Sequence, residues 1–171
     1  MSAPRLNRQL HRLGAILIAL PLLVVIGSGL FLQVKKQWSF VQPPTQRGMG
    51  TSPGLSFDEI LDRALSVPEA AVAGWEDIDR LDVRPEHGLI KVRCKNRWEL
   101  QLDARTGELL SSAYRRSDLI ESIHDGSFFH ERAKLIVFLP VGVVLLGLWA
   151  SGVYLFALPY LVRRRRKNGD L

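Results

Sequence analysis

Two long uncharged apolar runs constrain the fold of this 171-residue chain more than any other feature. Residues 13–32 and 135–162 contain 20 and 28 residues without an Asp, Glu, Lys or Arg. A helix rises about 1.5 Å per residue and the hydrocarbon core of a bilayer is about 30 Å thick, so each run is long enough to span a membrane. The sequence therefore predicts two transmembrane helices.

The basic residues that flank these runs predict their orientation. Arg5, Arg8 and Arg12 precede the first run, and a basic stretch at 163–167 follows the second. Residues 33–134 carry 15 basic and 16 acidic residues, a net charge of −1, so the excess positive charge of the chain, net +6, comes from the two ends. By the positive-inside rule both termini are cytoplasmic, and in a bacterial inner membrane the middle segment is periplasmic. The basic tails are expected to contact lipid headgroups of the bilayer, not nucleic acid.

The apolar and polar stretches together predict a domain organisation. It comprises, in order, a basic cytoplasmic tail at 1–12, transmembrane helix 1 at 13–32, a linker at 33–55, a periplasmic domain at 56–116, a short helix and pre-membrane segment at 117–134, transmembrane helix 2 at 135–162 and a basic cytoplasmic tail at 163–171. The first run exceeds a usual signal-peptide apolar region, which favours an uncleaved anchor, with cleavage near residues 27–29 as the alternative. Cys94, the single cysteine, has no partner for an internal disulfide.

The polar middle segment reads as a small α+β domain. Ser56 and Glu59 form a capping box before apolar residues at helical spacing, which predicts a helix over 57–66. Short alternating runs predict strands at 78–84, 89–94, 98–102 and 108–114. The turn at 103–107 ends at Gly107, which is expected to have a positive φ. We therefore expect a helix packed on an antiparallel meander with one buried face, set between two transmembrane helices.

Small residues and prolines in the two apolar runs predict how these helices pack and where their geometry is irregular. Gly147 and Ser151 form a small-xxx-small step, which predicts close helix packing within the chain or in a homodimer. Pro21 and Pro140 are expected to disturb helix geometry locally.

Three sequence segments carry a resemblance to a known family. The hairpin "ELQLDARTGELLSS" resembles the strand–D-x-x-T-G–strand signature of a PepSY domain. The segment "NRQLHRLG" with its following apolar run, and "LIESIHDGSFF" with the later "LWASGVYLF", resemble PepSY-associated transmembrane helices. PepSY domains are small extracytoplasmic modules proposed to inhibit or chaperone peptidases. Larger relatives with four or more spans resemble haem-containing reductases of iron–siderophore complexes, which implies a link to metal or siderophore handling and iron uptake.

Two histidines coincide with positions of that family. His11 lies at the cytoplasmic end of the first span and His124 before the second. One interpretation makes them axial ligands of haem b in an electron-transfer subunit. They are expected about 30 Å apart, so one haem would need a dimer or His130 as partner to His124. The alternative makes His11 an interfacial polar residue and His124 a helix cap.

Motifs for catalysis or metal binding are not found in the sequence. It contains no H-E-x-x-H or P-loop motif and no nucleotide- or flavin-binding segment, and its G-x-S-x-G match at 50–54 lies in the Pro- and Gly-rich linker and not in a turn from a strand to a helix. His87 is expected to be solvated in a turn. The sequence therefore predicts a non-catalytic accessory protein without a cofactor, which binds or regulates a periplasmic or membrane protein.

Overall fold

The computed structural model describes residues 3–50 and 52–167, which fold as two compact units. We call residues 30–121 the sheet unit, and the described residues 3–29 and 122–167 the membrane unit. Helix α1 (Ala3–Gln33) contains the first apolar run, and helix α4 (Leu139–Lys167) contains most of the second. Both helices are long and apolar enough to cross a membrane, with candidate spans Pro4–Gln33 and Lys134–Arg163.

A π-helical turn at Lys134–Phe138 begins the second span and continues directly into α4. Pro140 follows it closely and has no N–H to donate to the carbonyl four residues earlier. A wider turn just before a proline is a known way to relieve this conflict. At Pro21, in contrast, α1 continues through the proline as an unbroken helix.

The sheet unit contains four antiparallel strands in the order β1-β2-β3-β4. The strands are β1 (Ile78–Arg84), β2 (Leu89–Cys94), β3 (Trp98–Asp103) and β4 (Leu109–Tyr114). Helix α2 (Phe57–Leu65) begins with the predicted capping box, in which Ser56 and Glu59 exchange hydrogen bonds. Helix α3 (Arg116–Asp125) follows β4. The predicted fold class is confirmed, and Gly107 has the expected positive φ of 72°.

The apolar core lies between α2 and one face of the sheet. Ile60 and Ala64 of α2 are buried against side chains of β2 and β3 that point to the same face. These strand residues are Ile90, Val92, Cys94, Leu100 and Leu102. Cys94 is thus a small buried strand residue, and burial raises the pKa of its thiol.

The opposite face of the sheet is also buried, so the prediction of a single buried face is wrong. Residues 41–50, which we call the strap, cross this face without forming a helix or strand. Val41 of the strap is 1% exposed. Leu89 of β2, whose side chain lies on the sheet face under the strap, is 0% exposed. This burial was not predictable from the sequence, because the strap is rich in polar and turn-forming residues, which usually indicate a solvated linker.

Candidate functional site

Charged and polar side chains of β2 and β3 meet on the sheet face beneath the strap. The antiparallel register pairs Lys91 with Gln101, and Arg93 with Glu99. Successive strand residues alternate between faces, so all four side chains project to the face opposite the core. Lys91, Glu99 and Gln101 are each 1% exposed or less.

Glu99 is the centre of this buried network. Its Oε1 accepts a hydrogen bond from Lys91 Nζ at 3.1 Å, and its Oε2 accepts one from Arg115 Nη1 at 2.6 Å. Arg115 also pairs through Nε with Asp118 Oδ1 at 3.1 Å, at the start of α3. Burial lowers the pKa of Lys91, while the charge of Glu99 opposes that effect. The carboxylate of Glu99 is therefore what keeps two buried cations compensated.

Gln101 connects the network to the strap. Its Nε2 donates to the carbonyl oxygen of Pro44 at 2.9 Å, and its Oε1 accepts from Gln46 N–H at 2.8 Å. Lys91 Nζ donates to Thr45 Oγ1 at 3.0 Å. The strap is thus held largely by its backbone groups, which the side chains of the sheet satisfy.

Asp103 joins the turn of the D-x-x-T-G motif to the strap. Its Oδ1 accepts from the N–H groups of Arg105 and Thr106, both at 2.8 Å, and its Oδ2 accepts from Met49 N–H at 2.5 Å. The bonds from the backbone of Thr106 and Met49 lower the pKa of Asp103 to about 2. The sequence predicted the turn, but the attachment of the strap to Asp103 was not foreseen.

Three side-chain polar atoms on or near this sheet are buried and have no hydrogen-bond partner in the described part of the chain. They are Arg93 Nε, Ser112 Oγ and His87 Nδ1. Arg93 Nε lies 3.7 Å from Glu99 Oε2, which is too long for a hydrogen bond. The prediction that His87 is simply solvated is wrong for its Nδ1, which the surrounding chain shields from water.

In the membrane unit, His11 and His124 each face a serine of another helix. His11 Nδ1 lies 2.6 Å from Ser151 Oγ of α4. His124 Nδ1 lies 3.0 Å from Ser28 Oγ of α1 and 3.1 Å from the carbonyl oxygen of Val25. Ser28 and Ser151 donate their own hydroxyl protons to backbone carbonyls one turn earlier in their helices.

This arrangement determines which nitrogen of each ring carries the proton. A carbonyl oxygen only accepts, so Nδ1 of His124 must be the donor. Ser151 uses its proton on a carbonyl, so it accepts from Nδ1 of His11. In the neutral form of each ring, Nε2 therefore carries the lone pair.

The structure does not bring His11 and His124 together. His11 packs near the start of α1, whereas the partner of His124 is Ser28, 17 residues further along the same helix. This separation corresponds to about 26 Å. His130 is exposed, and its Nδ1 accepts from the backbone N–H of Arg132 at 3.0 Å.

Small residues allow these helix contacts. Added Cβ atoms would lie 3.2 Å from Leu148 at Gly14, 3.4 Å from His124 at Gly29 and 3.7 Å from His11 at Gly152. At Gly147 an added Cβ would meet no described atom within 4 Å. Of the predicted small-xxx-small step, only Ser151 therefore takes part in the packing of α4 against α1.

Comparison with known proteins agrees with this architecture. A family model described as the PepSY-associated TM region matches residues 1–158. The chain belongs to this family. No curated protein and no solved structure gives a significant match. The chain is thus a membrane protein that carries a PepSY domain, as the sequence segments around the D-x-x-T-G turn and the two spans predicted.

Proposed function

We propose that this chain is a non-catalytic accessory protein, which holds its PepSY domain in the periplasm to bind or regulate a periplasmic or membrane protein. The observation that carries the proposal is the buried network of Lys91, Arg115 and Gln101 around Glu99. Its buried charges compensate one another and hold the strap, so they serve the stability of the domain. The link to metal or siderophore handling rests on the family's larger members, and growth of a deletion strain on iron–siderophore complexes tests it.

The charge distribution supports a periplasmic PepSY domain with both chain ends in the cytoplasm. Met49 of the strap is 84% exposed, so Met49→Cys in a Cys94→Ala background presents one accessible thiol. A membrane-impermeant maleimide should label this variant in cells with a permeabilised outer membrane. Gln9→Cys, exposed near the start of α1, should be labelled only after lysis. The reverse pattern would overturn the orientation.

Electron transfer through haem b is a second candidate function. The hydrogen bonds at Nδ1 of His11 and His124 favour it. Histidines that ligate iron usually donate Nδ1–H to a protein acceptor and present Nε2 to the metal, and both rings have this arrangement. Their separation along α1 means that one chain does not supply two such ligands to one iron. Two copies of His124, or His124 with His130, would be required. Bound haem would supply one-electron redox chemistry.

The visible spectrum of the purified full-length protein separates the two candidates. The accessory proposal predicts no Soret band, and a spectrum unchanged in His124→Ala. The alternative predicts a Soret band that disappears in His124→Ala and persists in His87→Ala, whose imidazole lies in the sheet unit. A histidine-dependent Soret band would overturn the accessory proposal.

A further inference from the structure

An apolar crevice opens on the surface of the membrane unit. Leu20, Pro21 and Val24 of α1 form one side of it. The other side consists of Phe129, Ala133, Val137 and Phe138, from the segment before α4 and its π-helical turn. The crevice has a volume of about 220 Å³, and no polar atom contributes to its surface.

The walls of the crevice contain two features that distinguish them from regular helix surfaces. Pro21 contributes to one wall, and the π-helical turn at Lys134–Phe138 contributes to the other. The ring of Phe138 lies against Gly126, which has a φ of 84° and where a side chain would overlap the ring. Because the backbone at Gly126 supports the ring, Phe138 is held in place as a wall.

The surroundings of the crevice restrict which molecules can fill it. Five of its seven lining residues lie within the candidate spans, so lipid is the medium in contact with its opening. An apolar cavity of about 150 Å³ stays free of water and takes up benzene, and this crevice is larger. Leaving it empty would forfeit the dispersion contacts of its walls. A section of hydrocarbon chain matches both its size and its chemistry.

A cation adjacent in sequence to a lining residue of the crevice suits a lipid headgroup. Arg132 directly precedes Ala133, is exposed and forms no ion pair with any other described residue. Its neighbour Lys134 is already paired with Asp125 at 2.9 Å. A guanidinium is well suited to bind phosphate oxygens. We propose that the crevice binds one acyl chain of a membrane phospholipid, whose phosphate contacts Arg132.

Native mass spectrometry of the full-length protein, released from nanodiscs of phosphatidylethanolamine and phosphatidylglycerol, tests this site. The wild type should retain one phospholipid per chain. Ala133→Phe fills the crevice and should lower that occupancy at least fivefold. Ala150→Phe, the same change at an exposed position of α4 outside the crevice, should leave it unchanged. Arg132→Gln should lower the occupancy about threefold by removing the phosphate contact.

Cross-linking with phospholipids that carry a diazirine on the acyl chain provides a readout independent of variant folding. In the wild type, cross-linked peptides should come from 129–138 at least fivefold more often than from 143–150, which is mostly exposed but lies outside the crevice. Equal labelling of the two segments would overturn the proposal. So would equal lipid retention by Ala133→Phe and Ala150→Phe, or an isoprenoid quinone in place of the phospholipid.

Discussion

Replacing Glu99 with glutamine should destabilise the sheet unit by about 3–5 kcal/mol, because it leaves the buried cations Lys91 and Arg115 without their shared carboxylate. Chemical denaturation of a fragment spanning 40–121 measures the effect. Glu108→Gln, the same substitution at an exposed position, should change stability by less than about 0.5 kcal/mol. An equal effect of the two substitutions would mean that Glu99 does not compensate buried charge.

The pH dependence of the stability of the Glu99→Gln variant gives a second test of whether Glu99 compensates buried charge. Burial already lowers the pKa of Lys91, and the substitution removes the main group that opposes this shift. The unfolded chain then binds more protons at Lys91 than the folded one does, so stability should rise with pH toward the ordinary lysine pKa. The difference in unfolding free energy between the variant and the wild type should therefore become smaller at alkaline pH. Adding Lys91→Met should recover part of the lost stability at neutral pH, since the double variant leaves one fewer uncompensated charge.

Removing the strap should have an effect of similar size. A fragment spanning 52–121 keeps all four strands, α2 and Asp118 but lacks the strap that a fragment spanning 40–121 contains. The shorter fragment loses the burial of Val41 and the strap's hydrogen bonds to Gln101 and Asp103. The three bonds at about 1 kcal/mol each, together with the burial of Val41, amount to about 3–5 kcal/mol.

Thermal unfolding of the two fragments measures this loss. For a domain of this size, 1 kcal/mol shifts the midpoint by about 4–8 °C, so the shorter fragment should unfold at least 12 °C lower. The domain predicted from sequence, 56–116, lacks the strap as well and should be similarly unstable. Equal midpoints for 40–121 and 52–121 would mean that the strap covers the sheet without stabilising it.

Local sequence signals were sufficient wherever one segment determines its own structure. The spans follow from uninterrupted apolar length, since lipid offers the backbone no alternative partner. The start of α2 follows from Ser56 and Glu59, whose bonds lie within one turn. The D-x-x-T-G hairpin follows from Gly107, because a positive φ favours glycine.

The second buried face of the sheet depended on tertiary structure alone. Lys91 and Glu99 alternate with apolar residues, a pattern that usually indicates a face in contact with water. Their burial depends on the strap, which lies some fifty residues earlier and has no periodicity of its own. A charge on a strand predicts exposure only while no distant segment supplies its partners. Here Gln101 and Asp103 satisfy the backbone of that segment, and Glu99 compensates the cations beneath it.

Some properties of the two histidines were likewise predictable from the sequence, and others were not. Their separation along the chain followed from the sequence, because helix length fixes distance. Their serine partners did not, since Ser151 lies 140 residues from His11 and Ser28 lies 96 residues from His124. The sequence by itself therefore determined the spans, the meander and the family. Only tertiary packing decided which polar groups are buried, because burial of a polar group depends on hydrogen-bond partners that distant segments provide.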